Sequence, residues 1–250
     1  DLGMICGGSG VVLIDRVSAS APQSASVFLA MDELLRERRK GWLATRVTGS
    51  EERGLSVERR ILDSREDLSL GAGEHVVEGM RTVVHLQPLG IHGTAYVFGA
   101  GHCGAALAAV LPVAGFATVV LDDRPDFAHQ RRLPAADEVV VLKSFERALD
   151  ALSLDEESYV VIVTRGHAHD KTVLAQALRT PAGYIGMIGS RKKVAATFAA
   201  LRSEGFSEEE LARVHAPIGL SIGAETPGEI AVSIVAQMVE IRAQRRPDLK

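Results

Sequence analysis

The residues best suited to chemistry are three glycines at fixed spacing, Gly99, Gly101 and Gly104, in the run FGAGHCG at 98–104. A β-prone stretch at 95–98 leads straight into them, and an apolar helical pattern at 105–111 follows. Strand, tight glycine turn and helix form the context in which G-x-G-x-x-G reads as a cradle for a nucleotide or phosphate. Gly99 allows the turn, Gly101 lets the backbone approach a phosphate, and Gly104 lets helix and strand pack closely. The helix start then offers free N–H donors and a partial positive charge to an anion. A second strand at 117–121 ends in Asp122, 23 residues beyond Gly99, where an acid that holds a ribose hydroxyl is expected. His102 and Cys103 lie inside the turn. A thiol near a helix N-terminus can have a lowered pKa and face a ligand; the alternative is a small buried side chain.

Further candidates follow later strands. After a strand at 159–163 comes TRGHAHD at 164–170, where His167 and His169 have the spacing of a metal pair. No second compact cluster completes such a site, so loop and capping roles are expected, with His167 also a candidate ligand contact. Asp170 is expected to cap a helix at 171–179. After a strand at 183–188, Gly189 and Ser190 open another helix, with Ser190 as N-cap. Its first turn carries Arg191, Lys192 and Lys193, which oppose the helix dipole. An anion held by Ser190 and Arg191 would relieve that conflict, and solvation is the alternative. The loop HAPIGLSIGAE at 215–225 suits a lid or ligand wall, or a structured connector. Cys6, between glycines, is open to three readings: metal ligand, sulfur carrier or inert thiol. It and Cys103 are the metal candidates.

These segments need a scaffold. From 94 onward, strands at 94–98, 117–121, 138–142, 159–163 and 183–188 alternate with helical patterns, which demands right-handed crossovers and a parallel sheet covered by helices. Capping signals at Ser207 with Glu210, and at Thr226 with Pro227 and Glu229, mark two more helix starts. The last helix is apolar almost all round, as for a core or subunit-interface helix. Before 94 the pattern is a smaller α+β region: strands at 11–15, 43–47, 57–62 and 82–86, a helix at 27–40 and a linker at 87–93. The expected domains are therefore 1–93 and 94–250.

Composition sets outer limits. Apolar residues make up 46% of 250 residues, enough for a substantial core, and a net charge of −4 gives no electrostatic case for nucleic-acid binding. Two cysteines make no disulfide scaffold and point to a reducing, cytoplasmic compartment. The uncharged run at 97–121 is interrupted by Pro112 and glycines, and reads as strand, helix and strand rather than a membrane span. The chain opens on Asp1 rather than Met, with no signal peptide, and reads as lacking an N-terminal part.

Taken together, FGAGH at 98–102, DDRPDF at 122–127, GSRK at 189–192, HAPIG at 215–219 and IGAETP at 222–227 resemble the xanthine dehydrogenase accessory factor family, XdhC/CoxI. The similarity runs from about Thr94 to Ala243, and DLGMICGG at 1–8 resembles the end of the family's N-terminal domain. The resemblance implies an α/β fold, with a Rossmann-like parallel sheet after the smaller α+β region. It implies a maturation factor rather than a stand-alone enzyme. Such a factor binds the molybdenum cofactor, a pyranopterin, protects it while its terminal sulfur is installed, and delivers it to an apo molybdenum hydroxylase. A cysteine desulfurase as sulfur source and a homodimer are implied as well. Within it, the glycine turn and Arg191 suit the pterin phosphate, and a soft thiol suits molybdenum and sulfur. Cys103 stands where the family commonly has an aliphatic residue, and Ser221 where it commonly has Asp. The rival readings are an NAD(P)-dependent oxidoreductase and a regulatory nucleotide-binding module.

Overall fold

The computed structural model describes residues 13–14, 16, 18, 22–36, 41–50, 54–63, 73–77, 80–89 and 93–245. They fall into two units, Asp1–Gly90 and Ile91–Lys250. Cys6 lies outside the described residues.

The first unit has one helix, α1 (Pro22–Arg36), and four strands, β1 (Gly41–Ser50), β2 (Gly54–Leu62), β3 (Gly73–Val77) and β4 (Met80–Leu89). They form an antiparallel sheet of order β2-β1-β4-β3. Alternation along β1 sends Trp42 and Ala44 to one face, with Leu62 and Leu86, and Leu43 to the other, with Leu89 and Leu34 of α1. The helix spans Pro22–Arg36, starting ahead of the expected position 27. β4 runs through Leu89, using residues expected to be linker, because its register with β1 continues to Gly41 opposite Leu89. Leu13 and Ile14, expected in a strand, belong to no element, and the rest of 11–15 is outside the described residues. β3 was not legible: GEHVV is short and half polar, and its place is set by pairing with β4.

The second unit is a six-stranded parallel sheet of order β10-β9-β8-β5-β6-β7. Its strands are β5 (Thr94–Phe98), β6 (Ala117–Asp122), β7 (Glu138–Val141), β8 (Ser158–Ile162), β9 (Tyr184–Met187) and β10 (Val214–His215). The chain starts in the middle at β5, winds outward to β6 and β7, then crosses back to β8, β9 and β10. That is the Rossmann order, with its reversal between β5 and β8. The helices are α2 (His102–Val110), α3 (His167–Ala177), α4 (Arg191–Ser203), α5 (Glu208–Ala212) and α6 (Pro227–Gln244).

The central strands are apolar on both faces, and neighbouring residues feed two cores. Phe98, Val160 and Ile162 pack with Val173, Leu174 and Leu201 of α3 and α4. Ala95, Val97 and Val161 pack with Leu107 of α2 and Ile234 and Met238 of α6. Burial on both faces explains why these strands read as uniform apolar runs.

Both expected capping boxes are present. Ser207 accepts from the Glu210 N–H and Thr226 from the Glu229 N–H, with each Glu reaching back to the cap N–H. The all-round apolar character of α6 resolves into one buried side, Ala231, Ile234, Val235 and Met238, and an exposed side carrying Val232 and Val239. Among the described residues, no helix is long and apolar enough to cross a membrane.

Candidate functional site

The strand-order reversal leaves a crevice beyond the carboxyl ends of β5 and β8, and the glycine turn forms one wall. Gly99 has φ +118°, and a Cβ there would sit 2.4 Å from the Val163 carbonyl oxygen at the end of β8. Gly104 is tighter: its Cβ would fall 1.8 Å from the Gly99 carbonyl oxygen. Gly101 is different, with φ −68° and nothing within 4 Å of a Cβ. Neither backbone strain nor packing against the chain requires a glycine there, so the open space is available to a ligand. Gly101 is the N-cap of α2, and among the described residues no side chain caps that helix. The N–H groups of His102, Cys103 and Gly104 therefore point into the crevice without intrahelical acceptors.

The crevice holds a cleft of about 380 Å³ lined by Gly101, His102, Cys103, Arg124, Phe127 and Arg165, among others. Arg124 stacks on Phe127, 3.8 Å from the ring centroid. A second cleft, of about 590 Å³, shares Ile188 with the first and is walled by Ser190, Arg191 and the 217–224 loop. That loop is fastened to α6: Gln237 Oε1 accepts from the Gly219 N–H at 3.0 Å and from the Tyr184 hydroxyl at 2.7 Å. His215 stacks on Tyr184 at 4.8 Å, and burial lowers its pKa against the opposing field of Glu240. The sequence motifs at 98–104, 164–166, 189–191 and 217–224 thus gather at one end of one sheet.

Several expectations change at the level of single residues. Asp122 is almost fully buried and internally engaged. Oδ2 accepts from Ala100 N–H (2.8 Å) and Arg124 Nη2 (2.9 Å), and Oδ1 from Arg124 N–H (3.0 Å) and Nε (2.9 Å). A ribose diol would have to displace these donors. Burial alone would raise its pKa, but the bonds from Arg124 and Ala100 outweigh that and hold it at about 2. Burial pushes the Cys103 thiol up, opposite to the lowering its place by a helix N-terminus allows. It is therefore protonated at neutral pH, a packing surface rather than an attacking thiolate.

Asp170 does not cap a helix. α3 begins at His167, with Gly166 as N-cap, and Asp170 lies in its first turn, fully buried. There it accepts from the Thr164 hydroxyl at 2.6 Å and pairs with Lys193. Lys193 is thus neither solvated nor anion-binding, because the α3 carboxylate neutralises it. Ser190 does cap α4, accepting from the Lys193 N–H at 3.3 Å. Arg191 is exposed and without a hydrogen-bond or ion-pair partner among the described residues. The side chain of His167 is outside the described residues, and no group of three or more His, Cys, Asp or Glu among those described could hold a metal. Arg124 and Arg165 are cleft residues that sequence reasoning passed over. Each lies within a motif read for its neighbours, Asp122 and the two histidines.

The contrast between the glycines gives a direct test. Gly101→Ala should lower the melting temperature by no more than about 3 °C, the cost of a poorer N-cap, since its Cβ meets nothing. It should weaken phosphate-ligand binding at least about tenfold by blocking the approach to the α2 N–H groups. Calorimetric titration beside a thermal melt reads both.

Comparison with known proteins places these features. The family model described as the XdhC Rossmann domain matches residues 95–238, more than half of the chain. YqeB, an uncharacterized protein of Escherichia coli (strain K12), is 34% identical over 146 residues, 58% of this chain and 27% of YqeB. A probable xanthine dehydrogenase subunit of Bacillus subtilis (strain 168) is 30% identical over 146 residues, 58% of this chain and 42% of that protein. The matched segment thus spans less than half the length of either curated relative. The crystal structure of a xanthine dehydrogenase from Bacillus halodurans aligns with a TM-score of 0.70 at 22% identity. The alignment covers 89% of this chain and 66% of that one, a likeness of fold.

Proposed function

The chain belongs to the XdhC family through its Rossmann domain, and from that premise we propose that it is an accessory factor for a xanthine dehydrogenase-type molybdenum hydroxylase. In this reading it binds the molybdenum cofactor, shields it during sulfuration and delivers it to the apo-enzyme. A cysteine desulfurase is its sulfur source, and it works as a cytoplasmic homodimer. The observation that carries the reading is the pair of adjoining clefts at the strand-order reversal, one with uncapped helix N–H groups over Gly101, the other with Arg191, which has no partner among the described residues.

The residues fit an elongated anionic pterin. Gly101, His102, Cys103 and Gly104 would hold a phosphate on the α2 N-terminus, with Arg124 and Arg165, each paired with its own aspartate, lining the same cleft. Ser190 and Arg191 would hold a second polar end across Ile188. When bound, the group supplies the molybdenum centre that receives the sulfur. The chain's part is to orient it, keep water from it and offer Cys103 as a soft, protonated neighbour.

The deciding experiment is equilibrium binding to molybdenum cofactor and to NAD(P), without oxygen and under reducing conditions. Saturable binding of the cofactor in preference to NAD(P) is expected, and preference for NAD(P) would move the reading to an oxidoreductase. Arg191→Ala should weaken cofactor binding by about ten- to a hundredfold. Unchanged affinity in the folded variant would remove Arg191 from the site.

A further inference from the structure

The outer face of α4 departs from that of an ordinary surface helix. Its sequence, RKKVAATFAALRS, holds no acid, and its exposed positions from 191 to 202 are Arg191, Lys192, Ala195, Ala196, Ala199 and Arg202. A helix on the outside of a globular chain carries polar groups on that side, whereas here three alanines occupy it between cations at either end. Beside them a groove of about 550 Å³ runs between α3 and α4, lined by Ala168 and Lys171 of α3 and by Lys192, Ala196 and Ala200 of α4, among others. The acids near it are already engaged: Asp170 is buried against Lys193, and Glu204 pairs with Lys171. At the far end of α4, Arg202 is paired with Glu208. Lys192 is exposed and, like Arg191, has no hydrogen-bond or ion-pair partner among the described residues. The start of α4 therefore presents two uncompensated cations in a chain whose net charge is −4. The groove also shares Ser190 with the second cleft, which Arg191 lines. A body lying along α4 thus ends at the mouth of that cleft.

Resting on the accessory-factor reading above, we propose that the α3–α4 groove is the docking surface for an acidic helix of the apo molybdenum hydroxylase. Shape and charge together select that occupant. The alanines at 195, 196 and 199 let a second helix approach closely, because the side chains at the contact set the distance between helix axes. The 13 residues of α4 offer about 20 Å of length, enough for a partner helix of three to four turns laid in the groove. The two free cations, at the positive end of the α4 dipole, call for carboxylates on that partner. They stand together at one end of the helix and do not track its length, unlike the basic stripe that follows a nucleic-acid backbone. The placement also serves transfer. An acceptor seated on α4 stands beside the second cleft, and a carboxylate of its own on Arg191 takes that cation away from the carried group. Docking and release are thereby coupled through one guanidinium.

The test is binding of the full chain to the apo form of the molybdenum hydroxylase from the same organism, by biolayer interferometry. Affinity should fall at least about fivefold as NaCl rises from about 50 mM to about 300 mM. Lys192→Glu and Ala196→Glu should each weaken binding by at least about tenfold, the first by reversing a free charge, the second by filling the groove one turn from Lys192. Ala196→Ser, which adds neither bulk nor charge of note, should bind the enzyme as the unsubstituted chain does. Both positions are exposed, so thermal melts of the variants should stay within about 3 °C of the unsubstituted chain. Ala196 lines neither cleft, so Ala196→Glu should keep its affinity for the molybdenum cofactor. Full enzyme affinity in both glutamate variants, or binding indifferent to salt, would overturn the proposal. So would self-association of the chain that Ala196→Glu abolishes while enzyme binding is untouched, which would give the groove to a second copy. Cofactor titration of the unsubstituted chain separates the two levels. A chain that binds the cofactor but not the apo-enzyme loses the docking surface alone, and one that does not bind the cofactor loses the accessory-factor reading and the docking surface with it.

Discussion

Replacing Gly104 with alanine should destabilise the second unit by about 3 kcal/mol and lower its melting temperature by roughly 10 °C. The added Cβ falls 1.8 Å from the Gly99 carbonyl oxygen and 2.9 Å from its carbon, so the obstacle is backbone and not the far end of a side chain. Gly99 has nowhere to retreat. Its N–H is bonded to the Leu121 carbonyl at 2.8 Å, and its own Cβ position already abuts the end of β8. The strain must pass into α2, which would lift from the sheet and loosen Leu107 and Ala108, both buried against α6 and the strands. Differential scanning calorimetry beside Gly101→Ala reads the contrast directly. The two glycines are three residues apart in one motif, yet packing requires a glycine at one and not at the other. A melting temperature for Gly104→Ala equal to that of the unsubstituted chain would refute the close approach of α2 to the turn.

That contrast shows what the sequence could and could not carry. The glycine spacing, the strand–helix alternation and the two capping boxes are local signals, and each is found where its residues stand. Partnership is not local. Asp122 sits at the expected count, but nothing in the sequence tells that Ala100 and Arg124 already occupy its oxygens. Nor does it tell that Asp123, one residue on, keeps one free. Lys193 reads as a cation in conflict with the dipole of its own helix, because its neutralising carboxylate, Asp170, is 23 residues away on α3. Asp170 in turn reads as a cap, because short polar side chains before an apolar pattern usually are, whereas here Gly166 starts the helix without one. β10, only Val214–His215, is a strand solely by pairing with β9. The site was therefore legible as a set of segments, and the roles within each segment were set by contacts across the sheet.

Asp122 should prove the main acid-sensitive support of the crevice. In the folded chain its pKa is about 2, against an ordinary value of 3.8. A depressed carboxylate contributes stability that is present above the unfolded pKa and lost as pH falls through the folded one, so the loss runs from about pH 4 down to about pH 2. Its size is on the order of 2 kcal/mol. Asp122→Ala should cost more, about 4 kcal/mol at neutral pH, because it leaves the buried Ala100 N–H without an acceptor and releases both guanidinium bonds of Arg124. Asp122→Asn keeps one acceptor for Ala100 and sets an amide against the guanidinium, and should fall between. Urea unfolding of the native chain and of Asp122→Asn at pH 7, 5, 3 and 2 isolates this group from other carboxylates with lowered pKa values, such as Glu208, Glu210 and Glu229. The stability gap between the two proteins should be widest at pH 7 and close towards pH 2. A gap constant across that range would mean that the shape of the side chain, and not its charge, holds the turn. If the gap closes, Arg124 is released with it. The cleft then loses an ordered cation at the same pH at which its glycine turn loosens, so ligand affinity should fall more steeply with acid than phosphate protonation alone would dictate.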